Sequence, residues 1–224
     1  MSSDQRVVED RARLSRGTSS SAIHEMVARA LRARHTEGGL LLDVGCGVGN
    51  LWPVVASLFD RYIGADAVRY EGLDWSAEFC QVDLEAGRIP LPTECADVVA
   101  AVETIEHVEN PRALVRELTR LAKPGGWVLV TTPNQQSLLS VGTLAVKGRF
   151  SAFQDVHYPA HLSALLAVDL ERIAGENNLT EVEILYSNEG RMVLTASRFP
   201  LLLSRMFPRS LSDNVLMVGR KPRG

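Results

Sequence analysis

Glycine and acidic residues occur where short apolar runs of this chain end. The first run contains Asp43 and leads into a turn with Gly45 and Gly47. Such a turn brings the backbone close to a ligand, because glycine lacks a Cβ atom and permits positive φ. Carboxylates suit paired ribose hydroxyls, so the pattern indicates a site for a ligand that contains ribose. Acids also end three later runs, at Asp66, Asp83 and Glu103.

The apolar runs indicate buried strands, and the segments between several of them have helical spacing. Alternating strands and helices require crossover connections and therefore predict a parallel sheet. We expect an α/β fold with a doubly wound, mostly parallel seven-stranded sheet and an antiparallel carboxy-terminal edge. Such sheets bind ligands at the carboxyl ends of their strands. The predicted strands are 40–44, 61–65, 78–82, 97–102, 127–132, 181–186 and 214–218, and the predicted helices include 51–59, 164–176 and one that begins after Asn110.

Composition limits the classes of partner. A formal net charge of −3 makes a nucleic-acid partner held by a large basic surface unlikely for this chain. The three cysteines lack the spacing of zinc ligands or of a disulfide framework, which favours reduced thiols and a cytoplasmic location. We find neither a signal-peptide core nor an apolar run long enough for a transmembrane segment.

The segment Leu-Leu-Asp-Val-Gly-Cys-Gly-Val-Gly-Asn at 41–50 resembles motif I of class I S-adenosylmethionine-dependent methyltransferases. The similarity continues, in the family's order and spacing, through Asp66, 82–84, 96–99, 106–108 and 121–127, and it covers roughly residues 40 to 134. Within this Rossmann-like family, the chain is similar to the small-molecule enzymes of the ubiquinone-biosynthesis type. The resemblance implies S-adenosyl-L-methionine as the cofactor and a small-molecule acceptor as the substrate.

The resemblance also implies roles for individual residues. Gly45 and Gly47 would let the turn approach the methionine part of the cofactor, and Asp43 would hold the turn and, through water, the cofactor ammonium. Asp66 would accept hydrogen bonds from the ribose hydroxyls. The remaining expected cofactor contacts are Cys46, Asp83 with the adjacent Leu84 backbone, and Glu103.

Two histidines are candidates for catalysis. Methyl transfer is a displacement at a sulfonium carbon, so the protein must align and deprotonate the acceptor. His107 follows the fourth predicted strand, and the ordinary pKa of histidine, about 6.5, suits proton abstraction from a hydroxyl. His161 lies in the long segment 134–163, which we expect to cover the acceptor.

The same region offers ligands for a metal. Glu103, Glu106 and His107 share one face if the segment is helical. With His161 they resemble the metal-binding set of small-RNA 2′-O-methyltransferases. The chain differs from that family because it has no excess of basic residues and no clear RNA-binding extension. We therefore expect no metal.

The chain divides into an amino-terminal helical cap, 1–36, and a cofactor-binding methyltransferase domain, 37–224. The domain includes the substrate loop 134–163 and an insertion, 190–212. The insertion interleaves apolar residues with Arg198, Arg205 and Arg209, which indicates a packed insertion, a homodimer contact or a membrane-surface patch.

The leading hypothesis is O-methylation of a small-molecule, sugar or lipid-linked acceptor. An NAD(P)-binding oxidoreductase is the second alternative, disfavoured because Asn50 replaces the third glycine of the dinucleotide fingerprint and because Asp43 precedes the turn. A metal-assisted RNA 2′-O-methyltransferase-like enzyme and a binding module that performs no transfer are further alternatives.

Overall fold

The computed structural model describes residues 9, 13–15, 17–35, 38–74, 78–192, 195 and 197–223. Within these residues seven strands form one sheet, and α-helices and short 3₁₀ turns are distributed around it. The strands are β1 Leu40–Val44, β2 Arg61–Asp66, β3 Glu78–Gln81, β4 Ala96–Ala101, β5 Ala122–Pro133, β6 Thr180–Tyr186 and β7 Asn214–Arg220. The helices are α1 Ser21–Arg32, α2 Trp52–Val55, α3 Pro111–Leu121, α4 Leu138–Lys147, α5 Ala167–Glu176 and α6 Leu201–Met206.

The strand order is β3-β2-β1-β4-β5-β7-β6, which confirms the predicted fold class. The first five strands pair in parallel, and β7 is antiparallel to both β5 and β6. Because β7 runs in the opposite direction, its first residue, Asn214, lies opposite Pro133 at the carboxyl end of β5. The antiparallel edge therefore contributes side chains to the same rim of the sheet as the parallel strands.

Helices cover both faces of the sheet. All five residues of β1 are buried, as expected for a central parallel strand. One apolar cluster joins the sheet to α3 and α5, and the other joins it to α1. The helix α1 thus packs on the sheet, while residues 1–8, 10–12, 16 and 36–37, which include part of the predicted cap, lie outside the described residues.

Two predicted segments differ in the structure. The predicted helix 51–59 is a short α-helix followed by a 3₁₀ turn at 56–58. The segment 134–163, expected as a loop or short helices, contains the ten-residue helix α4. Among the described residues, no helix combines the length and apolar character needed to cross a bilayer.

Candidate functional site

A cavity of about 540 Å³ opens at the carboxyl rim of the sheet. Its position agrees with the rule that ligands bind outside the carboxyl ends of strands in open α/β sheets. Most of the residues that the sequence predicts for the site line this cavity. They are Asp43, Gly45, Cys46, Asp66, Leu84, Glu103, His107 and His161.

The turn after β1 requires glycine for two separate reasons. Gly45 has a φ of +72°, and a Cβ atom there would lie 2.2 Å from Thr104 Oγ1. Thr104 is itself fixed, because its hydroxyl group lies 3.2 Å from the carbonyl oxygen of Val44, within hydrogen-bond distance. A larger residue at position 45 would displace Thr104, so glycine keeps this wall of the cavity in place, and Gly45 itself lines the cavity.

Asp43 brings a buried carboxyl group to this turn. The hydroxyl group of Tyr62 donates to Asp43 Oδ2 at 3.1 Å, whereas Asp43 Oδ1 has no hydrogen-bond partner among the described residues. The residue is only 2% exposed, and burial raises the pKa of its carboxyl group to about 7. A buried acceptor without a donor is costly, so Asp43 Oδ1 suits a ligand that carries an ammonium group.

Asp66 lies at the end of β2 and links that strand to the glycine turn. Asp66 Oδ2 accepts a hydrogen bond from Gly47 N at 2.9 Å, and Asp66 Oδ1 accepts one from Val68 N at 3.4 Å. Burial raises the pKa of Asp66, and the backbone donors oppose that rise. These contacts orient the carboxylate at the cavity wall, where it can accept hydrogen bonds from ligand hydroxyls.

The backbone fixes the tautomers of the two candidate catalytic histidines. His107 Nδ1 lies 2.8 Å from the carbonyl oxygen of Ala160, and His161 Nδ1 lies 2.7 Å from that of Ala152. A carbonyl oxygen only accepts, so in each neutral ring Nδ1 carries the proton and Nε2 carries the lone pair. The two rings meet edge to face at 4.8 Å, and burial lowers the pKa of His161 to about 4.

Glu106 completes a compact group with these histidines. One ligand atom each of Glu106, His107 and His161 lies within 4.8 Å of the others, so the three residues could hold a cation. Glu106 is 1% exposed, its Oε2 atom has no hydrogen-bond partner among the described residues, and burial raises its pKa to about 8.

Comparisons with known proteins agree with this geometry. A family model described as a methyltransferase domain matches residues 16–184. The chain belongs to this methyltransferase family. The match confirms the resemblance to class I S-adenosylmethionine-dependent methyltransferases that the motifs indicate.

Individual relatives cover different shares of this chain. It is 36% identical to a ubiquinone biosynthesis O-methyltransferase of Bordetella avium over 111 residues, 44% of each chain. It is 31% identical to the protein of that name from Burkholderia pseudomallei over 163 residues, 67% of this chain and 68% of the relative. The chain therefore spans less than half the length of the first relative.

Solved structures share the fold of this chain. A methyltransferase of Archaeoglobus fulgidus, described as dependent on S-adenosylmethionine, superposes with a TM-score of 0.61 at 16% identity, over 88% of this chain and 94% of that one. Phosphoethanolamine N-methyltransferase 2 of Haemonchus contortus, solved with S-adenosyl-L-methionine, superposes with a TM-score of 0.58 at 17% identity. The match covers 88% of this chain and 52% of that one.

Two of the expected cofactor contacts lie outside the cavity lining. Gly47 is covered by the amino-terminal segment, because a Cβ atom at Gly47 would lie 2.1 Å from the carbonyl oxygen of Gly17. Asp83 caps the 3₁₀ turn 84–86, accepting a hydrogen bond from Glu85 N at 2.8 Å, and borders a small separate hollow. The adenine contact through Asp83 stays a prediction.

The segment 103–107 is not an α-helix, so the condition under which Glu103, Glu106 and His107 would share one face is not met. Glu103 has a φ of +50°, and only residues 105–107 form a single 3₁₀ turn. The carboxylate of Glu103 is bound by Thr131 Oγ1 and Asn214 Nδ2, each at 2.9 Å. Burial raises the pKa of Glu103 well above its ordinary value, and the nearby Glu106 raises it further. Glu103 is therefore held at the rim by β5 and β7 and is not a member of the group formed by Glu106, His107 and His161.

Several cavity residues were not predicted from the sequence. Asn214 reaches the rim because β7 is antiparallel, and the predicted antiparallel edge was the signal that could have placed it there. Arg191 and Arg198 of the insertion also line the cavity and pair with acids. The sequence indicates an insertion at 190–212 that contains several arginines, but the spacing of these residues does not show which side chains point into the cavity. The segment before α1 contributes Ser15, Gly17, Thr18, Ser19 and Ser20 to the lining.

Proposed function

We propose that this chain binds S-adenosyl-L-methionine in the rim cavity and methylates an oxygen atom of a small-molecule acceptor. The observation that carries the proposal is Asp43 Oδ1, a buried acceptor with no donor among the described residues, next to the glycine turn that borders the cavity. The cofactor contains the matching cation, an amino-acid ammonium group. The cavity volume of about 540 Å³ falls within the usual range for small-molecule sites.

The residues divide into those that hold the cofactor and those that act on the acceptor. Asp43 would bind the ammonium group, and Asp66 would accept hydrogen bonds from the ribose hydroxyls. Leu84, Cys46 and the backbone of Gly45 would form the walls around the cofactor. When bound, the cofactor supplies an activated methyl group on a sulfonium leaving group.

His107 would remove the acceptor proton. Its Nδ1 atom donates to the carbonyl oxygen of Ala160, so the neutral ring can accept a hydroxyl proton at Nε2. The resulting imidazolium keeps its Nδ1 hydrogen bond, and the carbonyl dipole stabilises its charge. His161 packs against this ring, stays neutral near pH 7 because burial lowers its pKa to about 4, and restricts the rotation of His107.

The acceptor class follows from the relatives and from the charge of the chain. The curated relatives described above are named O-methyltransferases, which supports oxygen as the methylated atom. A net charge of −3 supports a small acceptor rather than nucleic acid. All three cysteines, Cys46, Cys80 and Cys95, are unpaired thiols, in keeping with the proposed cytoplasmic setting.

The test measures release of S-adenosylhomocysteine with a panel of catechols, phenols, sugars and lipid-linked phenols. We expect turnover with at least one hydroxyl acceptor, unchanged by a chelator. Turnover that a chelator abolishes and a divalent cation restores would favour the metal-assisted alternative through Glu106, His107 and His161. Thermal stabilisation by NAD but not by S-adenosylhomocysteine would favour the oxidoreductase.

A further inference from the structure

Two arginines of the insertion lie opposite each other beside the cavity. Arg191 and Arg198 form an isolated antiparallel bridge, and both line the cavity. Residues directly opposite in an antiparallel pair project their side chains to the same face, with Cβ atoms about 5 Å apart. Like charges in that position are destabilising, and an arrangement that costs stability is expected at functional sites. We call these two residues the arginine pair.

Backbone contacts fix the segment that carries the arginine pair. Phe199 N donates to the carbonyl oxygen of Gly190 at 2.9 Å. Asp213 N donates to the carbonyl oxygen of Glu189 at 2.8 Å. Gly190 is packed closely on Leu211, because a Cβ atom at Gly190 would lie 2.4 Å from the carbonyl oxygen of Leu211. The arginine pair is therefore tied to the segment that leads into β7.

Each arginine is oriented by an acid and keeps donors for a ligand. Arg191 Nε donates to Asp213 Oδ2 at 2.8 Å, and Arg198 Nη1 donates to Glu189 Oε2. Among the described residues, the two Nη atoms of Arg191 have no hydrogen-bond partner, and neither have Nε and Nη2 of Arg198. A guanidinium group presents its N–H donors in a planar fork that matches a carboxylate. The remaining donors can therefore hold an anionic group.

The arginine pair lies near the candidate base and apart from the proposed cofactor contacts. Burial lowers the pKa of His157, and the positive charge of Arg191 lowers it further. The His157 ring stacks on His161 at 5.3 Å, and His161 meets His107 at 4.8 Å. Asp213, the partner of Arg191, precedes β7, whereas the proposed cofactor acids lie at the ends of β1 and β2. A group held by the arginine pair would therefore belong to the acceptor.

The acids beside the arginine pair favour a group with a single negative charge. Asp213 and Glu189 already balance part of the positive charge, so each further negative charge on a ligand is repelled by these acids. A carboxylate carries one charge and accepts paired hydrogen bonds from a guanidinium fork. A phosphate monoester carries about two charges near pH 7, so the site suits a carboxylate better.

We propose that the methyl acceptor carries a carboxylate group, which the arginine pair binds while the acceptor hydroxyl lies at His107. This inference rests on the proposed function and deepens it, because it names the acceptors as hydroxylated carboxylic acids. An acceptor held at both ends presents its hydroxyl group in a fixed orientation. Arg191 and Arg198 then determine specificity, and they take no part in the transfer itself.

The test is isothermal titration calorimetry of the full chain, saturated with S-adenosylhomocysteine. The ligands are 3,4-dihydroxybenzoate, 3,4-dihydroxycinnamate and the uncharged amide of each. We expect at least one acid to bind roughly tenfold more tightly than its amide, because hydrogen bonds between charged groups are the stronger ones. Arg191→Gln and Arg198→Gln should each remove most of this preference, and Arg191→Lys should keep part of it.

The matched control is Arg112→Gln on α3, which should leave the preference unchanged. Arg112 Nε lies 2.9 Å from Glu176 Oε2, its side chain is exposed to a similar extent, and neither residue lines the cavity. Affinity for S-adenosylhomocysteine reports that each variant is folded, and it should not change in any of them.

Several outcomes would overturn the proposal. They are equal affinities for acid and amide, no binding of either acid, equal losses in Arg112→Gln and Arg191→Gln, and tighter binding of phenyl phosphate than of benzoate. Failure of S-adenosylhomocysteine to bind would instead contradict the proposed function. The comparison of acid with amide in the absence of S-adenosylhomocysteine would then still test the arginine pair.

Discussion

His107 Nδ1 lies 2.8 Å from the carbonyl oxygen of Ala160, a residue 53 positions later in the chain. Two further contacts bind the same segments together, because Leu162 N and Ser163 N both donate to the carbonyl oxygen of Glu106, at 2.8 and 3.1 Å. The segment 134–163 therefore fixes the ring of the candidate base as well as bordering the cavity. A change in this segment can alter proton transfer without touching the cofactor side.

Replacement of His107 should separate chemistry from cofactor binding. We expect His107→Ala to lower kcat by about 10²- to 10⁴-fold, the usual contribution of a general base. Binding of S-adenosylhomocysteine, measured by isothermal titration calorimetry, should change little, because Asp43 and Asp66 remain. His35→Ala, which removes a histidine stacked on Phe59, is the control. An unchanged kcat in His107→Ala would remove this residue from the mechanism.

Cofactor affinity should depend on the ionisation of Asp43. Its pKa is raised to about 7, so the free protein loses a proton there as the pH rises through 7, and the resulting carboxylate attracts the ammonium group. Affinity for S-adenosylhomocysteine should rise about tenfold between roughly pH 6 and pH 8, the change in the ionised fraction. Asp43→Asn should weaken binding and flatten this dependence. A wild-type affinity that falls over the same interval contradicts the assignment.

The raised pKa of Asp43 also has a consequence for stability. A carboxyl group whose pKa is higher in the folded than in the unfolded state stabilises the fold fully below the unfolded pKa, about 4, and loses that contribution as the pH rises through about 7. Asp43→Asn should therefore raise the melting temperature of the free protein more at pH 8 than at pH 5. Thermal scans at both values test the sign, and a larger gain at pH 5 would refute it.

Alanine substitutions at two glycines with similar φ angles distinguish the cost of backbone strain from the cost of a clash between the new Cβ atom and a neighbouring side chain. Gly45 has a φ of +72° and Gly87 a φ of +76°, but only at Gly45 does a Cβ atom meet a neighbour, Thr104 Oγ1 at 2.2 Å. Gly87→Ala should cost about 1–2 kcal/mol of unfolding free energy from strain alone. Gly45→Ala should cost more and should weaken S-adenosylhomocysteine binding, as measured by urea unfolding and calorimetry. Equal costs would show that close approach contributes nothing.

The start of α3 provides a test of the local structure. Asn110 Oδ1 accepts a hydrogen bond from Ala113 N at 3.0 Å, whereas Ser20 at the start of α1 makes no side-chain cap bond. Asn110→Ala should lower the unfolding free energy by about 1 kcal/mol, and Ser20→Ala by less. Urea unfolding of both variants makes the comparison, and a larger loss for Ser20→Ala would contradict the cap assignment.

The sequence predicts best the elements whose side chains enter the core. The apolar run of β1 and the stripe of α3 are buried by the sheet, so their spacing reports their structure directly. Helix α4 lies in the segment expected as a loop or short helices, where the apolar residues show no firm helical period, and four of its large apolar side chains are exposed. Packing in the core does not constrain the spacing of apolar residues that lie on the protein surface.

The site shows the same division between local and distant determinants. Asp43 and Asp66 lie at the carboxyl ends of β1 and β2, and Gly45 directly follows β1, so strand assignment alone places them at the rim. The position of Glu103 depends on its positive φ and on a hydrogen bond from Asn214, 111 residues away. The spacing of residues in the sequence shows neither the backbone angle nor the hydrogen bond.

The central claim is that the glycine turn and its acids hold an adenosyl sulfonium cofactor, and a crystal structure with S-adenosylhomocysteine tests it most directly. The account predicts the ligand in the rim cavity, with its amino group within hydrogen-bond distance of Asp43 Oδ1 and its ribose hydroxyls on Asp66. A ligand bound elsewhere, or a rim cavity left empty at saturating ligand, would contradict the account.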